Sequence, residues 1–251
     1  MLPLKDNIPT DRFPLLTIVL IAANVAMYFL FQRGGLTQVD ELNVVLYGAI
    51  PYELTHPGEH CVVSGEALRC GPGGDAQPHT FLTVLTSMFM HGGLLHLAGN
   101  MLFLWIFGNN VEDSMGRVRF LAFYLLGGVA AVAGQVAVGA DAPVPLVGAS
   151  GAVAGVIGGY ILLFPRARVL TIIFIVFFFT MIELPALVVL GLWVAQQVLF
   201  GALELTTPAG GAGGGVAYFA HIGGFVFGLL TIKLFASASR RKDAPPRYAV
   251  H

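Results

Sequence analysis

The segment that decides the fold runs from Gly148 to Phe164 and reads GASGAVAGVIGGYILLF. From Ser150 to Phe164 an α-helix measures about 22 Å, which is shorter than the hydrocarbon core of about 30 Å. The helix must therefore begin below the outer membrane surface, and residues 143–149 must enter as irregular backbone that is buried or lines a water-filled cavity. We expect Ser150 at a helix N-terminus, where free N–H groups and the helix dipole favour negative charge.

The composition of the whole chain supports a membrane location. Of 251 residues, 56% are hydrophobic and only 11% are charged, and the mean hydropathy is +0.79. Soluble domains carry about 25% charged residues, so the composition excludes a soluble globular enzyme, and its high hydrophobicity excludes a disordered chain. The net charge of -1 gives no electrostatic reason to expect nucleic acid. What remains is a polytopic membrane protein.

Six apolar segments predict an all-α bundle of six transmembrane helices with a large extracytoplasmic first loop. The segments cover residues 14–32, 88–108, 119–139, 150–164, 184–203 and 217–236. A further apolar stretch, 169–182, is placed in the membrane interface or folded back against the bundle, with a seventh helix as the competing interpretation. The domain organisation is then as follows: a short cytoplasmic N-terminus, 1–13; a membrane domain, 14–236; and a basic cytoplasmic tail, 237–251.

The basic residues predict the orientation of this bundle. Eleven of the thirteen Lys and Arg residues fall on the side that holds both termini, and only Arg33 and Arg69 fall on the other side. Because basic residues are enriched in cytoplasmic loops, we expect both termini in the cytoplasm and the protein in the plasma (inner) membrane. The long polar loop 33–80 then lies outside.

Two cysteines, Cys61 and Cys70, lie in that outer loop. An oxidising compartment favours a disulfide between them. A zinc site that adds His56 and His60 is the alternative, since the ligand types and short spacings fit.

Three separate segments place polar residues toward the outer half of the bundle, where such groups are costly and indicate function. In the first, His96 and Asn100 are four residues apart and share a helical face, whereas His91 lies about 140° from His96 and falls on another face if the helix is regular. The other two segments contain Ser150 and His221. Taken alone, the first cluster fits either a pair aimed at one point or polar contacts between helices.

Ser150 and His221 are the residues that predict an activity. Ser150 is the one serine of six that lies well inside the predicted membrane zone. Glycine stripes, which let helices approach closely, follow both residues: Gly151, Gly155 and Gly159 on the fourth helix, Gly224 and Gly228 on the sixth. Close packing would bring the hydroxyl within reach of the imidazole, as in a nucleophile with its general base. No carboxylate falls at this depth, so the sequence supports a dyad. His96, Asn100 and the Ser150 N–H are candidate oxyanion donors.

Three motifs in this order resemble those of the rhomboid family of intramembrane serine proteases. They are H-x-x-x-x-H-x-x-x-N from His91 to Asn100, G-x-S-G from Gly148 to Gly151, and A-H-x-x-G-x-x-x-G from Ala220 to Gly228. The resemblance covers residues 10–236 and implies a six-helix bundle that cleaves transmembrane segments of other proteins. It implies Ser150 as nucleophile, His221 as base, and no metal or cofactor. It also implies that His96 and Asn100 are oxyanion donors and that His91 is a structural hydrogen-bonding residue.

The chain departs from the family pattern at two places. Leu82 and Thr83 stand where many relatives have Trp-Arg, which concerns how the first loop is anchored. Ala154 stands where some relatives have an aromatic residue that stacks on the base. Another residue must therefore orient His221, and Tyr218 or Phe219 is nearby in sequence.

Other functions fit the sequence less well. An inactive rhomboid-like protein that binds transmembrane clients would be marked by loss of Ser150 or His221, and both are present. A transporter would show two related halves with paired broken helices, and no such repeat is seen. A metalloprotease is excluded because H-E-x-x-H is absent. The expected partners are transmembrane protein substrates and the lipid bilayer. The glycine-rich loop 209–215 is a candidate gate for substrate, with a flexible connector between spans as the alternative interpretation.

Overall fold

The computed structural model describes residues 1–35, 39–65, 67–72, 78–175, 178–206 and 216–237. The candidate gate 209–215 and the tail beyond residue 237 lie outside the described residues.

The described part of the chain is mostly helical. Four helices are long and apolar enough to cross a membrane: α5 (Leu94–Met115), α6 (Arg117–Val138), α8 (Ala186–Thr206) and α9 (Tyr218–Phe235). The shorter apolar helices are α1 (Leu15–Phe31), α4 (Thr80–Phe89) and α7 (Ser150–Leu163). Two further short helices precede α4, namely α2 (Glu41–Tyr47) and α3 (Pro51–Thr55). Each predicted span overlaps one of these helices, but the second begins at Leu94 rather than at residue 88 and runs on to Met115.

Two small β-sheets add to the predicted all-α architecture. Strands β1 (Leu2–Asp6), β4 (Arg168–Ile175) and β5 (Phe178–Pro185) form an antiparallel sheet in the order β1-β4-β5. Strands β2 (Glu59–Ser64) and β3 (Ala67–Pro72) form a hairpin in the first loop. The apolar stretch 169–182 is therefore not a seventh helix. Its β-branched and aromatic residues favour strands, and it is too short to span a membrane as a helix.

The predicted N-terminal segment 1–13 is tied to the bundle through β1. The Asp6 carboxylate accepts hydrogen bonds from the Asn110 amide and the Tyr160 hydroxyl, both at 2.6 Å. Burial raises the pKa of Asp6 from 3.8 to about 6, and the hydrogen bond from Tyr160 opposes that rise. The start of the chain is thus anchored by a buried polar contact.

The first turn of α1 is capped by a side chain from α5. Oxygens of Glu112 accept hydrogen bonds from the backbone N–H groups of Leu16 and Thr17 at 3.0 and 2.8 Å and from the Thr17 hydroxyl at 2.8 Å. A helix N-terminus has free N–H groups and a dipole that favours a carboxylate. Glu112 therefore joins α1 to α5.

Helix α7 lies at the centre of the bundle, and its most extensive contacts are with α9 and α6. A Cβ atom on Gly224 or Gly228 would lie 2.0 Å from the carbonyl oxygen of Gly151 or Gly155, respectively. A Cβ on Gly151 would lie 2.4 Å from the Cβ of Ala131 on α6. The predicted close approach of the two glycine-bearing helices is confirmed, because their backbones touch where any side chain would clash.

The chain that leads into α7 is irregular, as the sequence predicts, and the first loop supplies its backbone partners. Leu146 and Ala49 exchange N–H···O bonds of 2.8 and 3.1 Å. The Tyr52 N–H donates to the Ala142 carbonyl at 3.2 Å. The entry to α7 is therefore held by residues from the segment that contains α2 and α3.

The cysteines of the first loop lie opposite each other in the β2–β3 hairpin. Cys61 and Cys70 are joined by a disulfide, so neither sulfur is available to the alternative zinc site. The Cys61 N–H donates to a carboxylate oxygen of Glu53 at 2.7 Å. Burial raises the pKa of Glu53, while this hydrogen bond acts in the opposite direction.

Candidate active site

Ser150 is the first residue of α7, the position that the sequence predicts. The turn before it depends on Gly148, whose φ of +130° is a conformation that side chains disfavour. The Gly148 N–H donates to the Ser87 carbonyl at the end of α4 at 2.9 Å. These contacts fix where the serine hydroxyl enters the bundle.

His221 lies in the first turn of α9 and contacts Ser150. The Nε2 atom of His221 is 2.7 Å from the Oγ atom of Ser150. The start of α9 is held by Gln135 on α6, whose side-chain oxygen accepts the Ala220 N–H at 3.1 Å. The structure thus brings together the two side chains that the glycine stripes were expected to bring within reach.

Two residues of α8 contact the far side of the imidazole. The Nδ1 atom of His221 is 2.8 Å from Oε1 of Gln197, and the ring centroid of Trp193 is 5.5 Å from that of His221. The residues suggested by sequence proximity face other partners, since Tyr218 packs against Phe200 and the ring of Phe219 lies against Gly201.

The two candidate oxyanion donors lie beside the serine. The Nδ1 atom of His96 accepts the Gly92 N–H at 3.4 Å, which leaves Nε2 as the protonated nitrogen. A Cβ on Gly148 would lie 2.8 Å from this Nε2 and 3.4 Å from the Ser150 Oγ, so both groups border the same small space. The buried Asn100 side-chain nitrogen has no acceptor among the described residues.

His91 lies close to His96, although a helical wheel would place the two residues on different faces of a regular helix. Helix α5 begins at Leu94, so His91 belongs to the preceding turn and a regular helix does not fix its direction. Its ring centroid lies 5.2 Å from that of His96. The side chain of Gln32 bonds to the backbone of His91 in both directions, at 2.9 and 3.0 Å. These bonds hold the turn against the end of α1.

The serine, its histidine partner and the two candidate oxyanion donors open into one cleft of about 340 Å³. Its polar side includes Ser150, His221, His96 and Asn100, and its apolar walls include Phe103, Val153, Ile157 and Trp193. The cleft therefore places a hydroxyl, two imidazoles and an amide next to apolar surface.

A model of the Rhomboid domain family matches residues 78–238. This is more than half of the chain, and it includes every cleft residue named above. The chain belongs to the rhomboid family.

Among the curated proteins that this rhomboid resembles are bacterial and mitochondrial ones. It is 34% identical to "Rhomboid protease GluP" of Bacillus subtilis over 146 residues, 58% of this chain and 24% of that protein. It is 33% identical to "Rhomboid protein 1, mitochondrial" of Saccharomyces cerevisiae over 160 residues, 59% and 40% of the two chains. It is 29% identical to "Rhomboid protease AarA" of Providencia stuartii over 118 residues, 46% and 34%. The matches therefore span less than half the length of these relatives.

Two site residues of this rhomboid were missed from the sequence. Gln197 and Trp193 belong to no motif, and no spacing connects them with His221, because α8 and α9 meet only in the folded bundle. A signal was nevertheless present, since Gln196 and Gln197 are amides inside the apolar run 184–203, where unpaired polar groups are costly.

Proposed function

We propose that this rhomboid is an intramembrane serine endopeptidase that cleaves transmembrane segments of other proteins. The observation that carries the proposal is the 2.7 Å hydrogen bond between the Ser150 Oγ and the His221 Nε2, made inside a cleft among membrane helices. A hydroxyl bonded to a neutral imidazole is an activated nucleophile. The names of GluP and AarA, which are rhomboid proteases, support the same reaction class.

In the first half of the reaction Ser150 is acylated. The Oγ proton passes to the His221 Nε2 as Oγ bonds to the scissile carbonyl carbon, and the carbonyl electron pair moves to oxygen. The intermediate then collapses, the C–N bond breaks, and His221 returns the proton to the leaving amine. The acyl group remains on Ser150.

In the second half water takes the place of the leaving amine. It gives a proton to His221 while its oxygen adds to the acyl carbon, and collapse of the second intermediate expels Ser150, which recovers the proton. Both intermediates carry an oxyanion. Asn100, His96 and the Ser150 N–H are the donors proposed to stabilise it, and this kind of contact is the usual largest contribution in acyl transfer.

The proposed topology gives the reaction its location. Helices α1, α5, α6, α7, α8 and α9 would be the six spans, with both termini cytoplasmic and the first loop outside. The cleft then opens in the outer half of the membrane. A substrate segment must unwind to reach Ser150, because the scissile carbonyl of a helix is already hydrogen-bonded. Segments weakened by glycine or proline should be preferred.

Labelling with a fluorophosphonate tests the nucleophile independently of any substrate. The purified protein should acquire one phosphonyl adduct, which mass spectrometry should place on Ser150, and Ser150→Ala should acquire none. Ser114→Ala is the matched control, because the Ser114 hydroxyl donates to the Val111 carbonyl of its own helix and lies outside the cleft; it should label as the wild type does. Undiminished labelling of folded Ser150→Ala would refute the proposal.

A further inference from the structure

Gln197 makes a buried contact with His221 that lies outside the path of the proton between Ser150 and His221. Its side chain is on α8 and the residue is 5% exposed, so water cannot readily replace it. Its Oε1 lies 2.8 Å from the Nδ1 of His221, the ring nitrogen opposite the one that contacts Ser150. Gln197 therefore touches the base but not the nucleophile.

The orientation of the Gln197 amide is set by its own helix. Its Nε2 donates to the carbonyl of Trp193, one turn earlier, at 3.4 Å, which leaves Oε1 facing the imidazole. A carbonyl oxygen only accepts, so the Nδ1 of His221 must carry the ring proton. The Nε2 of His221 is then unprotonated and accepts the Ser150 hydroxyl proton.

The opposite amide orientation would have the opposite consequence. An NH₂ group against Nδ1 would require an unprotonated Nδ1 and would place the ring proton on Nε2. His221 would then have no lone pair for the Ser150 proton. The tautomer of the base is thus decided by which end of one amide faces it.

Trp193 restricts the same imidazole in a second way. Its ring centroid is 5.5 Å from that of His221, with the planes 38° apart. Trp193 and Gln197 are four residues apart and share one face of α8. A single turn of α8 therefore supplies both a ring contact and a hydrogen-bond acceptor to the base.

We propose that Gln197 is the positioning residue of the dyad: its side-chain oxygen holds His221 in the Nδ1–H tautomer that can accept the Ser150 proton. The inference rests on the proposed function. In the reaction the Ser150 proton moves to Nε2 while the Nδ1 proton stays on the ring and remains bonded to Gln197. The amide is a neutral counterpart of the acceptor that orients the histidine in hydrolases with a third member.

The test compares variants that remove the acceptor with one that keeps it. Gln197→Leu removes the acceptor and Gln197→Met leaves only a weak sulfur acceptor, both at similar side-chain size, whereas Gln197→Glu retains an oxygen. The second-order rate constant for fluorophosphonate labelling of Ser150 should fall about 10- to 100-fold in the first two variants and recover to within a few-fold of wild type in the third. For a transmembrane substrate, kcat should fall while KM stays close to the wild-type value.

A control variant and Ser150→Ala distinguish a failure of the Gln197 role from a failure of the proposed dyad. Val198→Ala, which alters a neighbouring side chain that is 51% exposed, should label at the wild-type rate. Acceptor-free variants that label at the wild-type rate would overturn the role of Gln197, provided that Ser150→Ala is unlabelled; labelled Ser150→Ala would instead overturn the dyad. If Gln197 had a purely structural role, the acceptor-free variants would show a lower thermal unfolding midpoint and a smaller labelled fraction. Gln197→Glu would then restore neither the labelling rate constant nor kcat, and this result would overturn the positioning role.

Discussion

At the scale of single residues, Gly148 separates the imidazole of His96 from the hydroxyl of Ser150. A Cβ at this position would lie 2.8 Å from the imidazole and 3.4 Å from the hydroxyl oxygen. The position also has a φ of +130°. Any side chain here therefore strains the backbone and displaces a proposed oxyanion donor.

Gly148→Ala should lower kcat/KM for a transmembrane substrate by about 100-fold, because small displacements of catalytic groups have effects of that order. Gly58→Ala is the matched control, since Gly58 has a φ of +86° but no atom within 4 Å of the added Cβ. Both variants should lose about 1–3 kcal/mol of unfolding free energy through backbone strain, but only the first should lose activity. Equal activities in the two variants would contradict this account of Gly148.

The residue scale also shows what the sequence can predict about the site. Ser150 and His221 stand out because a hydroxyl and an imidazole inside glycine-bearing apolar segments have few structural explanations. Gln197 does not stand out, since its role depends on how α8 packs against α9. The direction of His91 could not be predicted, because a helical wheel applies only to a regular helix and His91 precedes α5.

At the scale of elements, the contact between α7 and α9 keeps the serine and the histidine together. A Cβ on Gly228 would lie 2.0 Å from the Gly155 carbonyl oxygen, about one turn below the contact of Gly224 with Gly151. The two helices must separate if either position gains a side chain. Sequence could predict this contact, because glycines four residues apart indicate a smooth helix face.

Gly228→Ala should lower the unfolding free energy by about 1–3 kcal/mol, the usual cost of overpacking, and should reduce activity by separating the dyad. Gly191→Ala is the control, because that helical glycine has no atom within 4 Å of an added Cβ. It should be neutral or slightly stabilising, as alanine is the better helix former. Unfolding of the two variants in detergent gives their unfolding free energies. Equal values for Gly228→Ala and Gly191→Ala would argue against a tight contact between α7 and α9.

The anchoring of β1 by Asp6 predicts a pH dependence of stability. Since burial raises the pKa of Asp6 from 3.8 to about 6, the folded state favours the protonated carboxyl. The contribution of Asp6 to the unfolding free energy is fully present below pH 3.8 and is lost as the pH rises through about 6. The total decrease is on the order of 3 kcal/mol.

The test is to measure the unfolding free energy between about pH 3.8 and pH 6, where the carboxyl of Asp6 should titrate in the folded protein. Asp6→Asn should remove this part of the slope, whereas Asp40→Asn, which alters a half-buried residue that caps α2, should keep it. A slope of the same size in Asp6→Asn would show that other groups cause it.

The paired strands β4 and β5 show why the secondary structure of one stretch could not be predicted. The stretch 169–182 has no polar alternation, so its hydrophobic pattern does not distinguish a strand from a buried helix. Its β-branched and aromatic content was the available signal. The pairing of β4 with β1 joins residues more than 160 positions apart, which no local pattern can reveal.

At the scale of the whole molecule, the distribution of basic residues predicts sidedness that cysteine labelling can test. In a background with Cys61→Ser and Cys70→Ser, Ser64→Cys should react with a membrane-impermeant maleimide in intact cells. Ser237→Cys should react only after the membrane is permeabilised, because the proposed topology places the end of α9 on the cytoplasmic side. The reverse pattern would invert the proposed topology.

The proposed activity depends on the whole bundle, so the most direct test is cleavage of a transmembrane segment by the purified protein in liposomes. Wild type and the control Ser114→Ala should cleave at comparable rates. Ser150→Ala and His221→Ala should lose about 10⁴-fold or more of the activity, with unfolding midpoints close to the wild-type value. Near-wild-type turnover by folded Ser150→Ala would contradict the account.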